Sequence, residues 1–317
     1  MQKLSCIILA GGESKRFGEN KAFFNFNGKS FIERAAETAL KLSGDIIISA
    51  RDKEGAERYS NELKKKLNIN PHAIADDKNC GFIGPLRGIY SCIKHLKGKY
   101  VLVMECDAPL FNFSAANELI KKMEKEKVGA VLPLWPDSTV EPLLGIYNIK
   151  KTAAVLEMLN DYALNLEKNF PFKDSVNISR FLPSVYYYNI LDIIKKNPDL
   201  KIEFFMNINS KEDIENYLAE KINTVKKKYA KSVKIRKANR FFNVKNPSGK
   251  PSGILANALY YWWIYSKTGN FIYLKKSYGY FKKDADKYYA GGLDFMGGKL
   301  IKTIRGDAGA FSQEICK

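Results

Sequence analysis

Short apolar runs rich in β-branched residues alternate with segments of helical period through the first half of this chain, and that alternation leaves few folds open. Ser5 to Leu9, Asp45 to Ser49, Tyr100 to Met104 and Gly129 to Leu132 read as strands. Between them, Phe31 to Leu42 and Pro85 to Leu96 carry apolar residues at helical spacing, the second with a proline in its first turn, where a missing N–H costs nothing. Strands joined by crossover helices form an α/β domain around a mostly parallel sheet. In such sheets ligands bind beyond the carboxyl ends of the strands, so the residues that follow each strand are the first to examine.

Charge divides the chain in two. Of its 52 Lys and Arg and 34 Asp and Glu, residues 225–317 hold 20 and 5, a balance of +15 against +3 for residues 1–224. A last helix is expected over Asp213 to Asn223, followed by Lys226, Lys227, Lys228, Lys231 and Lys234. Length and this boundary predict two domains, a first one over 1–224 and a smaller, basic, aromatic-rich one over 225–317 containing Tyr260-Tyr261-Trp262-Trp263. A basic excess of that size points to an anionic partner: nucleic acid, a phosphorylated ligand, an acidic protein or a membrane surface. Five cysteines without a C-x-x-C pair and two histidines, His72 and His95, argue against a zinc site or a disulfide framework. Cys6 and Cys106 are expected as buried strand-end residues. The apolar start Leu4 to Ala10 meets glycine after seven residues and reads as a buried strand rather than a signal peptide. With no apolar run near the ~20 residues of a membrane span, the expectation is a cytoplasmic protein with no membrane partner.

Three elements carry chemistry. Leu9-Ala10-Gly11-Gly12 continues through Arg16 and Gly18 to Lys21. It fits neither a Walker A loop nor G-x-G-x-x-G, yet glycines admit an anion close to the backbone and Arg16 and Lys21 neutralise charge. Asp107, in Glu105-Cys106-Asp107-Ala108-Pro109 after the third strand, is placed to hold Mg²⁺, which usually takes one or two carboxylates plus substrate phosphates. Glu105 alternates to the opposite strand face if the strand extends that far, and ranks lower. Gly84-Pro85-Leu86 opens a helix whose free N–H groups suit a base carbonyl or a phosphate. Each has a plainer alternative: a tight strand-to-helix turn, a capped turn before Pro109, and a helix start needing glycine for close packing.

In this order, with Glu141-Pro142-Leu143 and Asn207-Ile208-Asn209 behind them, these motifs resemble the molybdenum cofactor guanylyltransferases over residues 1 to about 220. The resemblance implies a three-layer α/β/α, Rossmann-like nucleotidyltransferase domain that transfers GMP from MgGTP to the terminal phosphate of molybdopterin and releases pyrophosphate. It implies nucleotide contacts from Leu9, Ala10, Gly11, Gly12, Gly84, Pro85 and Leu86, and phosphate contacts from Lys21. Asp107 would meet both nucleotide and Mg²⁺, Asp76 or Asp77 the base, and Asn207 and Asn209 the substrate. Arg16, Lys21 and Mg²⁺ would offset charge on the leaving pyrophosphate, and an already anionic acceptor needs no strong base. Arg51 stands where relatives commonly have an asparagine, whereas Asn207 and Asn209 replace the two aspartates of related cytidylyltransferases and favour GTP. The alternatives are a nucleotidyltransferase of the same fold acting on a sugar phosphate, a cobinamide phosphate or another base. For residues 225–317 they are a nucleic-acid or acidic-partner module, or a small domain with its own aromatic core.

Overall fold

The computed structural model describes residues 3–12, 17, 20–135, 139–165, 178, 182 and 185–218, with nine separate positions between 257 and 283. The first strand, β1 (Leu4–Leu9), has every residue buried. It leads to a hairpin, β2 (Asn25–Phe26) and β3 (Lys29–Ser30), closed by Asn27 and Gly28 with φ of 51° and 83°. Asn-Gly is the sequence that tolerates two such left-handed residues in a row. Helix α1 (Phe31–Leu42) starts on a capping box in which Ser30 Oγ accepts from the Glu33 N–H and Glu33 accepts from the Ser30 N–H. There follow β4 (Ile46–Ala50), α2 (Lys53–Leu67), β5 (His72–Ala75), α3 (Gly84–Ile93), β6 (Tyr100–Glu105), α4 (Phe113–Glu126) and β7 (Ala130–Leu134). The described chain continues with β8 (Ile146–Asn148), α5 (Ile149–Asn165), β9 (Val185–Asn189), α6 (Ile190–Lys196) and α7 (Lys211–Leu218).

The sheet runs β5-β4-β1-β6-β8-β7-β9. All neighbours are parallel except β8, which is antiparallel to β6 and β7. Alternation along the strands sorts side chains into two layers. Cys6, Ile8, Leu102 and Met104 face Ile32 and Ala35 of α1, Tyr59 and Leu63 of α2, and Leu119 and Met123 of α4. Ile7, Leu9, Val101 and Val103 face Leu86 and Ile89 of α3 and Leu156 and Leu159 of α5. The result is the expected three-layer α/β/α arrangement.

Register then aligns the strand ends: Leu9 pairs with Ser49 on one side and Glu105 on the other, and Ala50 with Ala75. The carboxyl ends of four adjacent parallel strands therefore stop at one level, and the loops leaving them share one rim.

Cys6 and Cys106 are buried as expected, Cys6 within β1 rather than at its end. The last helix begins at Lys211, two residues before the expected start, because Ser210 caps it: Ser210 Oγ accepts from the Asp213 N–H and Asp213 Oδ2 accepts from the Ser210 N–H. Of the expected basic domain, Tyr261, Tyr273 and Tyr280 are described; Tyr261 stacks between the other two at 6.3 and 5.6 Å. Tyr280 also packs against the layer formed with α3 and α5. The Lys226 to Lys234 run and Tyr260, Trp262 and Trp263 lie outside the described residues. Among the described residues no helix is long and apolar enough to cross a membrane.

Candidate active site

The loops after β1, β4, β5 and β6 surround a cavity of about 700 Å³. Backbone hydrogen bonds continue the sheet into these loops and fix their spacing. The Ala10 N–H donates to Ser49 O at 3.0 Å, Cys106 N–H to Leu9 O at 3.2 Å and Asp76 N–H to Ala50 O at 2.8 Å. Gly11 and Gly12 line the cavity. Gly11 is required by contact: a Cβ there would lie 3.1 Å from Asp76 Oδ2 and 3.2 Å from Arg51 N. Tyr59 steadies the same turn, its hydroxyl donating to Ala10 O at 2.7 Å and accepting from Asn20 Nδ2 at 3.3 Å.

Lys21 sits in a short 3₁₀ turn (Lys21–Phe23) begun by Asn20, whose Oδ1 accepts from the Ala22 N–H at 3.1 Å. Its buried side chain reaches across the cavity to Asp107 Oδ2 at 2.9 Å and Asn209 Oδ1 at 3.4 Å. One ammonium thus links the first loop, the turn after β6 and the segment before α7, which are separated by 86 and 188 residues in sequence. The Ile208 N–H, donating to Asp107 O at 2.8 Å, fastens that last segment down. Asp107 Oδ1 is left buried without a hydrogen-bond partner.

At the other end of the cavity lie Ser49, Arg51, Asp76, Lys78 and Arg87. Ser49 Oγ donates to Asp76 Oδ1 at 2.7 Å. Burial pushes the Asp76 carboxyl up to about 6 from 3.8; the Ser49 hydrogen bond and the Arg87 charge hold it down in part. Asp77 does not line the cavity: its N–H donates to Ser91 Oγ at 2.8 Å and its Oδ1 accepts from the Asn79 N–H at 2.9 Å. Of the two aspartates left open by the sequence, Asp76 is the one that faces the site.

Gly84 and Pro85 line the cavity at the start of α3, where no side chain caps the helix. Its first N–H groups are left as donors for a ligand. Leu86, in the same motif, points into the core and is fully buried. Asn207 donates from Nδ2 to Glu105 Oε2 at 3.3 Å beside Asp107. Arg16 lies outside the described residues.

Glu105 departs from expectation. The expected ranking below Asp107 does not hold: residues two apart share a strand face, and Glu105, the last residue of β6, lines the same cavity as Asp107. Burial, then the facing Asp107, raises its carboxyl well above the usual range. Ser49, Arg87 and Tyr59 were also not foreseen. Arg87 directly follows the Gly84-Pro85-Leu86 motif, and Ser49 and Tyr59 acquire their roles from contacts 27 and 49 residues away in sequence. The Cys106 thiol is driven far up by complete burial, so it is no nucleophile.

The profile of the MobA-like NTP transferase domain matches residues 6–168. The chain belongs to this family. A "Probable molybdenum cofactor guanylyltransferase" of Methanosarcina acetivorans is 30% identical over 225 residues, which covers 70% of this chain and 92% of that protein. One of Geobacillus sp., of the same description, is 35% identical over 159 residues, 50% of this chain and 76% of that one. A crystal structure of molybdopterin-guanine dinucleotide biosynthesis protein A from Archaeoglobus fulgidus superposes with a TM-score of 0.53 at 24% identity, over 70% of this chain and 99% of that one. That likeness shows the fold. The chain is therefore a nucleotidyltransferase, and the cavity lies at the strand ends of its MobA-like domain.

Proposed function

We propose that this protein transfers GMP from MgGTP to the phosphate of molybdopterin, forming the guanine dinucleotide cofactor and releasing pyrophosphate. The observation that carries this reading is the convergence on one rim of a glycine turn, Lys21, Asp107 and a half-buried aspartate at the far end, in a chain whose relatives bear the guanylyltransferase name. The two ends of the cavity divide the labour. Asp76 accepts from the ring N–H and exocyclic amine of guanine, a pair of donors that adenine does not present. The backbone of Leu9 to Gly12 and the first N–H groups of α3 at Gly84 and Pro85 receive phosphate oxygens.

Transfer is a displacement at the α-phosphorus. An oxygen of the molybdopterin phosphate forms the new P–O bond, the bond from the α-phosphorus to the bridging oxygen breaks, and pyrophosphate leaves with the electron pair. The acceptor is already an anion near neutral pH, so the protein needs to align groups and offset charge rather than take a proton. Lys21 turns from Asp107 toward the phosphates, and Arg16 adds a second positive charge to the leaving group. Asn207 and Asn209 contact the acceptor.

A divalent cation fits the residues present: Asp107 has one oxygen paired with Lys21 and one buried and unpartnered, the state of a carboxylate prepared for a hard ion. Mg²⁺ takes much of its shell from substrate phosphates and water, so it needs few protein ligands. Bound there, it would neutralise charge on the triphosphate. The substrates assign the work to the cytoplasm. Residues 1–224 hold all of these groups, and residues 225–317 are a second domain whose Tyr280 packs against the first.

Pyrophosphate release measured with Mg²⁺, molybdopterin and each of the four nucleoside triphosphates tests the proposal. GTP should be the preferred donor, and release should depend on molybdopterin. Equal use of CTP, or release that molybdopterin does not stimulate, refutes it.

A further inference from the structure

The corner where β6 ends holds more oxygen acceptors than Asp107 alone requires. Asp107 Oδ1 and Asn207 Oδ1 are both buried atoms with no hydrogen-bond partner. Native structures rarely leave such atoms unsatisfied without an ion, water or ligand to receive them. Both belong to one tethered unit, because the Ile208 N–H donates to Asp107 O at 2.8 Å. Glu105 connects them. Its Oε2 accepts from Asn207 Nδ2 at 3.3 Å, and its carboxyl group lines the same cavity as that of Asp107. By engaging the nitrogen end of the Asn207 amide, Glu105 leaves the oxygen end available, since the two ends of an amide point apart.

The charge balance separates this corner from a single-carboxylate site. Asp107 is already paired with Lys21 Nζ at 2.9 Å, so the ammonium offsets part of the attraction Asp107 offers a cation. Glu105 brings a second carboxyl group to the same cavity, so an entering cation meets more oxygen than the Lys21–Asp107 pair offers. A divalent ion is what such a set of oxygens suits: hard, oxygen-seeking and positive.

We infer that Glu105 is a second carboxylate of the cation site, which with Asp107 Oδ1 and Asn207 Oδ1 forms an all-oxygen cradle that takes up a divalent ion before the nucleotide arrives. This rests on Asp107 being the metal residue of the proposed reaction, and goes beyond it in assigning a role to Glu105 and an order of binding. A site with one carboxylate would load the ion together with the triphosphate. A site with two loads it alone and presents it to the incoming phosphates.

Mn²⁺ is the probe, and free Mn²⁺ counted by electron paramagnetic resonance on the full chain without nucleotide is the readout. The wild-type chain should bind one Mn²⁺ under these conditions. Glu105→Gln keeps the size and an acceptor for the Asn207 amide but replaces the carboxyl group with an amide, and should weaken binding at least ~10-fold, the scale on which support of a metal site is felt. Glu105→Asp retains the carboxyl group and should recover most of that loss, which separates a missing ligand from a disturbed fold. A wild-type chain that takes up Mn²⁺ only once GTP is added overturns the inference, as does a Glu105→Gln chain that binds like wild type. The reading beneath it is tested separately: with GTP present, Asp107→Asn should take up no Mn²⁺ beyond what GTP alone takes up at the same concentration. If Asp107→Asn still binds, the assignment of Asp107 fails, whatever Glu105 does.

Discussion

Asp76→Asn should make the protein more stable and less discriminating at once. The carboxyl is raised from 3.8 to about 6 chiefly by burial, so the folded chain holds a proton through a range where the unfolded chain has lost it. Because the folded value lies above the unfolded one, the wild-type chain pays no penalty below about pH 4, and the penalty grows between about pH 4 and 6 and is constant above. At ~1.4 kcal/mol per tenfold change in proton affinity, the shift corresponds to at most about 3 kcal/mol at pH 7.5 and roughly half that at pH 5. Asparagine keeps an oxygen for the Ser49 hydroxyl, which donates to Asp76 Oδ1 at 2.7 Å, so the gain should not be offset by a lost hydrogen bond. Urea unfolding of both chains from pH 5 to 8 reads the difference, which should widen from pH 5 to a little above 6 and then level off. The cost falls on recognition: losing a hydrogen bond to a charged acceptor is worth about 1.5–3 kcal/mol, so GTP affinity should drop roughly 10- to 150-fold and ATP affinity should not. A variant no more stable than wild type at pH 7.5, or one that still prefers GTP by the same margin, refutes the reasoning.

Other substitutions probe the remaining walls of the site. Gly88→Ala puts a Cβ 2.3 Å from Ser49 Oγ and 3.0 Å from Leu9 Cδ2. Overpacking of about 1–3 kcal/mol should outweigh a helix-propensity gain of about 1 kcal/mol, and Ser49→Ala should relieve part of it in a double-mutant cycle read by urea unfolding. Lys21→Ala should slow pyrophosphate release by about 10²–10³-fold, the usual effect of deleting one group that stabilises developing charge. Asp107→Ala should abolish nearly all transfer while circular dichroism reports an unchanged fold; retained turnover would remove Asp107 from the metal site. Ser30→Ala should cost about 1 kcal/mol in thermal or urea unfolding through loss of the α1 cap.

How much of this was legible in the sequence depended on distance along the chain. The buried central strands and α1 were readable because a fully apolar run or a regular 3.6-residue period is a local signal, and the span Phe31 to Leu42 agrees at both ends. Strands β5 and β8 were not, since four and three residues are too few to show a period, and β8 is recruited by pairing with β6 and β7. Motif residues Lys21 and Asp107 could be named from their loops, but not that they contact one another. Glu105 was underrated for a specific reason: it was assigned the face opposite Asp107, but it stands two residues before Asp107, and an alternation of period two puts such residues on the same face. Asp76 was distinguishable from Asp77 only once the fold showed which carboxylate Ser49 reaches.

The most direct test of the central claim is the mass of what the protein makes from GTP and molybdopterin with Mg²⁺. The account predicts the molybdopterin guanine dinucleotide, one pyrophosphate released for each molecule formed, and none from the Asp107→Ala chain. Unmodified molybdopterin recovered after GTP has been consumed, or a product carrying another nucleotide in preference when all four are supplied, would contradict it.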